Sequence, residues 1–256
     1  MSEIFKDSSQ LVNVVTLKWG TRYGVEYANK LFAAVSRNLS LPFRFVCFTD
    51  DDKGLTEGIL PFPIPEINID PPALYTGWRK LCLFQKNLPI EGPCLFLDLD
   101  ILITGNLDDF FRFEPDKIPI IRDWVTLRRK LFPKGPPVGN SSVFRFVANK
   151  CTFVYEQFLR ERDWALSNFQ PPQTYLTHCI RPQMVFWPKH WAISFKEHCR
   201  PVFPLNYLVE ARQPLNARIV VFHGRPDPDE AAYGYRGKKI HHYVRPTQWV
   251  RNLWEK

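Results

Sequence analysis

Cys94-Leu95-Phe96-Leu97-Asp98-Leu99-Asp100-Ile101-Leu102-Ile103 sets two carboxylates two residues apart inside an otherwise apolar run. Such a run reads as a buried strand, and alternate residues of a strand project to one face. Asp98 and Asp100 would then point together, and two like charges in an apolar setting repel unless something positive sits between them. A divalent cation meets that need, because hard cations prefer carboxylate oxygens. The bare Asp-X-Asp pattern also arises by chance, and Asp50/Asp52 and Asp227/Asp229 repeat it in polar surroundings. Context separates the first pair: an apolar strand leads in and Thr104-Gly105-Asn106-Leu107 leads out. The plainer alternative is a turn or cap at a strand end.

Upstream, Leu11 to Leu17 reads as a strand ending in the polar turn Lys18-Trp19-Gly20-Thr21. Val25, Ala28, Phe32, Val35 and Leu39 follow at helical spacing. Phe43 to Phe48 is a second strand, ending in Thr49-Asp50-Asp51-Asp52. Strand, helix and strand in this order predict a βαβ unit and a parallel sheet. Residues 54–77, rich in proline and glycine, read as a loop with one short strand, and a helix is expected from Trp78 to Asn87. Downstream, Asn106 to Phe111 reads as a short capped helix. The segment 122–139 is basic, carries Pro133, Pro136 and Pro137, and reads as a flap bordering a site. Ser141 to Val147 alternates like a half-buried strand, and a helix is expected from Asn149 to about Arg162. A last strong strand, Arg218 to Phe222, precedes His223-Gly224-Arg225-Pro226-Asp227-Pro228. No internal repeat or domain boundary stands out, so one domain is expected over residues 1–256.

The 256 residues suffice for one large α/β core. A hydrophobic content of 45% with 15% aromatics excludes a disordered chain. The opening segment lacks the zones of a secretory signal, and no apolar run is long enough to span a bilayer. Six scattered cysteines, never as Cys-X-X-Cys, read as reduced buried thiols in a cytoplasmic protein, not as a disulfide or zinc framework. A net charge of +8 suits an anionic partner: nucleic acid, an anionic membrane surface or a phosphorylated substrate. The basic, tryptophan-bearing tail 236–256 reads as an ordinary packed helix, with a peripheral membrane contact as the alternative.

In an open α/β sheet, ligands bind beyond the carboxyl ends of the strands. Those ends here carry Thr16-Leu17-Lys18, Thr49-Asp50-Asp51, Asp98-Leu99-Asp100 and His223-Gly224-Arg225. Carboxylates, an imidazole and a guanidinium on one rim suit a metal-bound diphosphate.

With these residues in view, the chain resembles the GT-A-fold glycosyltransferases. It is most similar to the family 8 group that includes glycogenin and bacterial lipopolysaccharide galactosyltransferases, and within it to a bacterial subgroup. The resemblance runs from Val12 to about Pro228 and implies a Rossmann-like, mostly parallel central sheet flanked by helices. It further implies that Asp98, Asp100 and His223 hold Mn²⁺ or Mg²⁺ against the diphosphate of a nucleotide-sugar, in all expectation a UDP-sugar. Gly224 and Arg225 match the Gly-Lys that touches the diphosphate, arginine offering a bidentate fork. Thr16, Leu17, Tyr23 and Asp50 or Asp51 fall where the nucleoside is held. Lys80 matches a basic residue beside the phosphates, and Asn140-Ser141-Ser142 a strand start facing the donor sugar. The family commonly has Asp-Gln before the helix that faces the anomeric carbon; here Pro171-Pro172-Gln173 keeps Gln173 without the aspartate. The resemblance implies retention, while Asp123, ending an expected strand, is the candidate base for inversion. The acceptor would be a glycan, lipid-linked or other hydroxyl, and nucleic acid is not expected, because the aromatic residues form no stacking stripe. Rival readings are a nucleotidyltransferase, whose Gly-rich phosphate loop Trp19 to Gly24 matches only poorly, and a non-catalytic nucleotide- or sugar-binding protein.

Overall fold

The computed structural model describes residues 11–124 and 135–256. Its centre is a sheet of order β3-β2-β1-β4-β7-β6-β8. The strands are β1 (Val12–Lys18), β2 (Phe43–Thr49), β3 (Ile59–Pro63), β4 (Gly92–Leu97), β6 (Ile118–Arg122), β7 (Gly139–Ala148) and β8 (Met184–Phe186). Pairings β1–β2, β1–β4, β2–β3 and β6–β8 are parallel, whereas β7 runs antiparallel to both β4 and β6. The sheet is thus mixed and mostly parallel, as expected for α/β. A second sheet has the order β5-β10-β9, with β5 (Ile101–Ile103), β9 (Ala192–Ser194) and β10 (Ile219–Val221).

Alternation along the central strands feeds two apolar layers. Val12 and Val14 of β1, Phe45 and Cys47 of β2, and Leu95 and Leu97 of β4 pack on one side with helix α1 (Val25–Asn38) and the small sheet. Val15, Val46, Phe48, Cys94 and Phe96 pack on the other side. There they meet α3 (Phe153–Asn168) and α4 (Gln173–Ile180). Strands buried on both faces are what a mostly parallel sheet requires. Ser141 to Val147 is accordingly not half-buried: every residue of it but Val147 is buried.

Three further expectations change. The run 94–103 is two strands: β4 stops at Leu97, the chain bends through Asp98-Leu99-Asp100, and β5 joins the other sheet. The helix expected from Trp78 is a 3₁₀ segment, Gly77–Phe84, in which Trp78 and all residues from Lys80 to Phe84 are buried. The helix expected from Asn149 begins at Phe153 and runs to Asn168. The helix after β5, α2 (Asp108–Arg112), forms where Asn106 accepts a hydrogen bond from Asp108 N at 2.9 Å. From 125 to 134 the expected flap lies outside the described residues, while its two ends are tied by Asp123 N donating to Val138 O at 2.9 Å.

Helix α5 (Pro228–Tyr233) and the closing α6 (Gln248–Trp254) pack together against the first layer. Trp249 and Trp254 are buried there, so the part of the tail at 248–254 is a packed helix. Among the described residues no helix is long and apolar enough to cross a membrane.

Candidate active site

The bend at 98–100 carries its backbone from one sheet to the other. Asp98 N donates to Ser142 O of β7 at 2.9 Å, and Asp100 O accepts from Phe222 N, just past β10, also at 2.9 Å. Leu99 is buried between them. The carboxylates therefore converge through a bend anchored at both ends, not through strand alternation. They line one cleft of about 320 Å³ with Leu17, Trp19, Arg22, Tyr23, Tyr75, Gly77 and Lys80.

Each carboxylate has its own partner. Lys80 Nζ donates to Asp98 Oδ2 at 2.8 Å and to Ser141 O at 2.9 Å, with Ser141 Oγ at 3.3 Å. Gln173, the first residue of α4, accepts from Ser141 N at 3.4 Å. Gln173, Ser141, Lys80 and Asp98 thus form a continuous polar chain. The Tyr23 hydroxyl donates to Asp100 Oδ2 at 3.0 Å and lies 3.4 Å from Asp227 Oδ1. Burial first, and then the neighbouring Asp98 charge, push the Asp100 carboxyl up to about 7. Burial also pushes the Tyr23 phenol well above its ordinary range, so it stays a hydrogen-bond donor.

Asp227 was set aside at the sequence level as one of a polar pair. Its side chain is 4% exposed and meets the same Tyr23 hydroxyl as Asp100. Arg22 lies 3.4 Å from it and Arg225 3.0 Å, and Arg225 also binds Glu230. The guanidinium assigned to the diphosphate thus engages both carboxylates through Nη1 and stays half-exposed. A different cation, Lys196, lies above Gly224. Its Nζ donates to His223 O, and a Cβ at Gly224 would lie only 3.0 Å from it. Gly224 has φ +73°, a backbone conformation that glycine adopts at no steric penalty. Burial, and then the nearby Arg200, lower the Lys196 pKa. Sequence reading missed Lys196 because it lies 27 residues from His223 in a segment with no motif.

His223 reaches the rim from the small sheet. Its Nε2 is 2.7 Å from Ser194 Oγ, and its ring stacks on Trp124 with centroids 5.2 Å apart. Burial first, then Lys196, push its pKa down to about 4, so the ring is neutral at pH 7. Trp124, with Asp123, Trp187, Lys189, Glu197 and His198, lines a second cavity of about 500 Å³. Asp123 therefore faces this cavity and not the one that holds Asp98 and Asp100.

The remaining expected residues make hydrogen bonds that brace the scaffold. Thr16 Oγ1 donates to Leu97 O at 2.8 Å, tying β1 to β4. Asp50 accepts from Gly20 N at 2.9 Å and so fixes the turn after β1, and Asp51 accepts from Lys53 N at 3.1 Å. Asn140 accepts from Ser142 N at 3.0 Å. Pro172, where the expected aspartate would be nearby, packs against Gly77.

Whether the residues fit a divalent cation can be judged from their chemistry. Two hard carboxylates share one cleft, and burial together with the Asp98 charge raises the Asp100 pKa. Among the described residues no three of His, Cys, Asp and Glu gather closely enough to enclose an ion, so His223 does not complete a preformed triad. A cation held by one or two carboxylates and completed by substrate phosphates is the pattern that fits.

No protein-family model matches the chain, and no curated protein matches it in sequence. Solved structures do. The galactosyltransferase LgtC, in complex with donor and acceptor sugar analogs, superposes with a TM-score of 0.57 at 13% identity over 95% of each chain. The glycosyltransferase GlyE of Streptococcus pneumoniae TIGR4 gives 0.59 at 12% identity, over 95% of this chain and 60% of its own. The fold is that of the GT-A glycosyltransferases. An active-site glutamine-to-glutamate mutant of LgtC matches equally, at 0.57 and 12% identity over 95% of this chain. Within the GT-A fold, the Asp98–Asp100 cleft occupies the carboxyl ends of β1 and β4, where α/β sheets bind their ligands.

Proposed function

We propose that this chain transfers a sugar from a UDP-sugar to an acceptor hydroxyl, with a divalent cation and with retention. The observation that carries the reading is the shared cleft of Asp98 and Asp100, edged by Lys80 at the carboxyl end of β4, in a GT-A fold. When bound, a divalent cation supplies Lewis acidity to the departing diphosphate.

The protein's own groups do the rest. Asp98 and Asp100 anchor the cation, Mn²⁺ or Mg²⁺, and Tyr23 orients the Asp100 carboxylate. Lys80, bonded to Asp98, and Lys196, beside Gly224, supply positive charge that stabilises the leaving diphosphate. Leu17 and Trp19 give the cleft an apolar end suited to the nucleoside. Gln173 and Ser141 hold Lys80 in register and border the sugar. The 500 Å³ cavity, with Trp124 and Trp187 as apolar faces and Asp123, Glu197 and His198 as polar groups, suits a glycan acceptor. Asp123 lines this cavity and not the Asp98–Asp100 cleft, which supports retention over inversion with Asp123 as base. Six buried cysteines, none in a disulfide, suit a cytoplasmic setting.

Calorimetry with UDP tests the reading. UDP binding strengthened at least tenfold by Mn²⁺, followed by Mn²⁺-dependent hydrolysis of one UDP-sugar in a nucleotide-sugar screen, is expected. UDP binding that ignores Mn²⁺ removes the metal role. Metal-dependent binding without turnover of any nucleotide-sugar makes the chain a nucleotide-binding pseudoenzyme.

A further inference from the structure

We infer that the cavity of about 500 Å³ takes an anionic sugar, whose carboxylate or phosphate is read by Arg122 and Lys189. The sugar's role as acceptor rests on the transfer reading above, whereas the binding site itself stands on the geometry of the cavity.

The sheet delivers both cations to one place. Strands β6 and β8 run parallel, with Ile120 opposite Phe186, so their carboxyl ends lie side by side. Arg122 ends β6, and Trp187-Pro188-Lys189 follows β8, pinned by Trp187 N donating to Ile120 O at 3.0 Å. Arg122 and Lys189 both line the cavity and are exposed. Neither forms an ion pair among the described residues. The Arg122 guanidinium lies 5.8 Å from the centre of the Phe186 ring. A guanidinium laid against an aromatic ring keeps its N–H edge for a carboxylate or phosphate, which it can bind bidentately.

The acids of the same cavity have their charge met already. Glu197 acts on Arg200 and Lys196, which supply the opposite sign. Asp123 is engaged as well. The charge left to a ligand is therefore that of Arg122 and Lys189, and it is positive.

Two tryptophans give the sugar ring a surface. Trp187 is 3% exposed, its indole N–H donates to Val143 O at 3.2 Å, and its ring packs on Phe110 and Trp191, so its position is fixed. Trp124 is half-buried and held by its stack on the His223 ring. Each tryptophan stands two residues from one of the cations, Trp124 from Arg122 and Trp187 from Lys189. Each strand end thus contributes one aromatic face and one positive charge. A pyranose offers a C–H face to such rings and a charged substituent to the cations. Aromatic walls with a few placed polar groups are how small-molecule pockets obtain affinity and orientation.

Ligand-observed NMR titration of the full chain, without nucleotide or metal, tests the inference apart from transfer. Glucuronate or glucose 6-phosphate should bind at least tenfold more tightly than glucose, as expected for a charge-assisted hydrogen bond. Whichever of the two binds tighter identifies carboxylate or phosphate as the group that is read. R122A/K189A should lower binding of the charged sugar about tenfold or more, while glucose binding, Tm and UDP affinity stay as in the wild type. Equal binding of glucose and both charged sugars overturns the inference, as does a preference that R122A/K189A leaves intact. Inorganic phosphate bound as tightly as glucose 6-phosphate also overturns it, because the cavity would then read an anion without a sugar. If the charged sugar binds as expected but UDP binding ignores Mn²⁺, the sugar site stands and the metal-dependent transfer reading falls.

Discussion

Asp100 holds the tension between stability and function in one side chain. Burial, and then the Asp98 charge, hold its carboxyl above the ordinary value of 3.8, at about 7. The folded state therefore binds the proton more tightly than the unfolded state, and ionising Asp100 destabilises the fold as pH rises from about 4 through 7. Asp100→Asn should raise Tm by a few degrees at pH 8, leave it unchanged at pH 4, and abolish the Mn²⁺-dependent gain in UDP affinity. Differential scanning fluorimetry and calorimetry read the two effects, and an unchanged Mn²⁺ gain would refute the metal role. Lys196→Ala should weaken UDP binding about tenfold to a hundredfold, as expected for one charge-assisted hydrogen bond, while Arg225→Ala should weaken it far less, because Arg225 is held by Asp227 and Glu230. Motif and strand-end position mark Asp98 and Asp100 in the sequence, whereas only the family resemblance points to Lys80 and Tyr23. Neither signal marks Asp227 or Lys196, because only the tertiary fold brings Asp227 to Tyr23 across 204 residues.

At the scale of elements, the βαβ start and most strands could be read from periodicity, but the break after Leu97 could not. A run that is apolar on both faces has no period to interrupt, so two strands in different sheets read as one. The segment Gly77–Phe84 reads as a helix, and residue spacing over eight residues does not separate the 3₁₀ form it takes from an α-helix. β7 contains a residue that alternation alone mistakes for a solvent-facing one. Arg145 is 1% exposed, and its guanidinium donates to the carbonyls of Phe110, Phe111, Glu114 and Lys117. It closes the carboxyl end of α2 and the turn after it, although burial lowers its pKa to about 10. Arg145→Ala leaves buried carbonyls without partners and should cost about 3 kcal/mol of stability by urea unfolding. UDP affinity of the folded fraction should remain as in the wild type, because the carbonyls Arg145 holds belong to α2 and the turn after it and not to the cleft.

For the whole molecule, the scattered cysteines are spread through both apolar layers. Burial raises the thiols of Cys47, Cys82 and Cys199 to about 12. At pH 8 a thiol with that pKa is about one part in ten thousand thiolate. A thiol-disulfide reagent should therefore label well under one cysteine per native chain within minutes and all six in denaturant. Rapid native labelling would disprove their burial.

The bend at Asp98-Leu99-Asp100 is a seam as well as a site. Its first backbone amide belongs to the large sheet and its last carbonyl to the small one. A ligand gripped by both side chains acts as a brace across two bodies of structure, so occupancy should be felt far from the cleft. Amides of β5 and β10 should slow in hydrogen exchange when UDP and Mn²⁺ are added, although neither strand lines the cleft. In a fold with such a seam, the donor keeps the two halves of the machine in alignment.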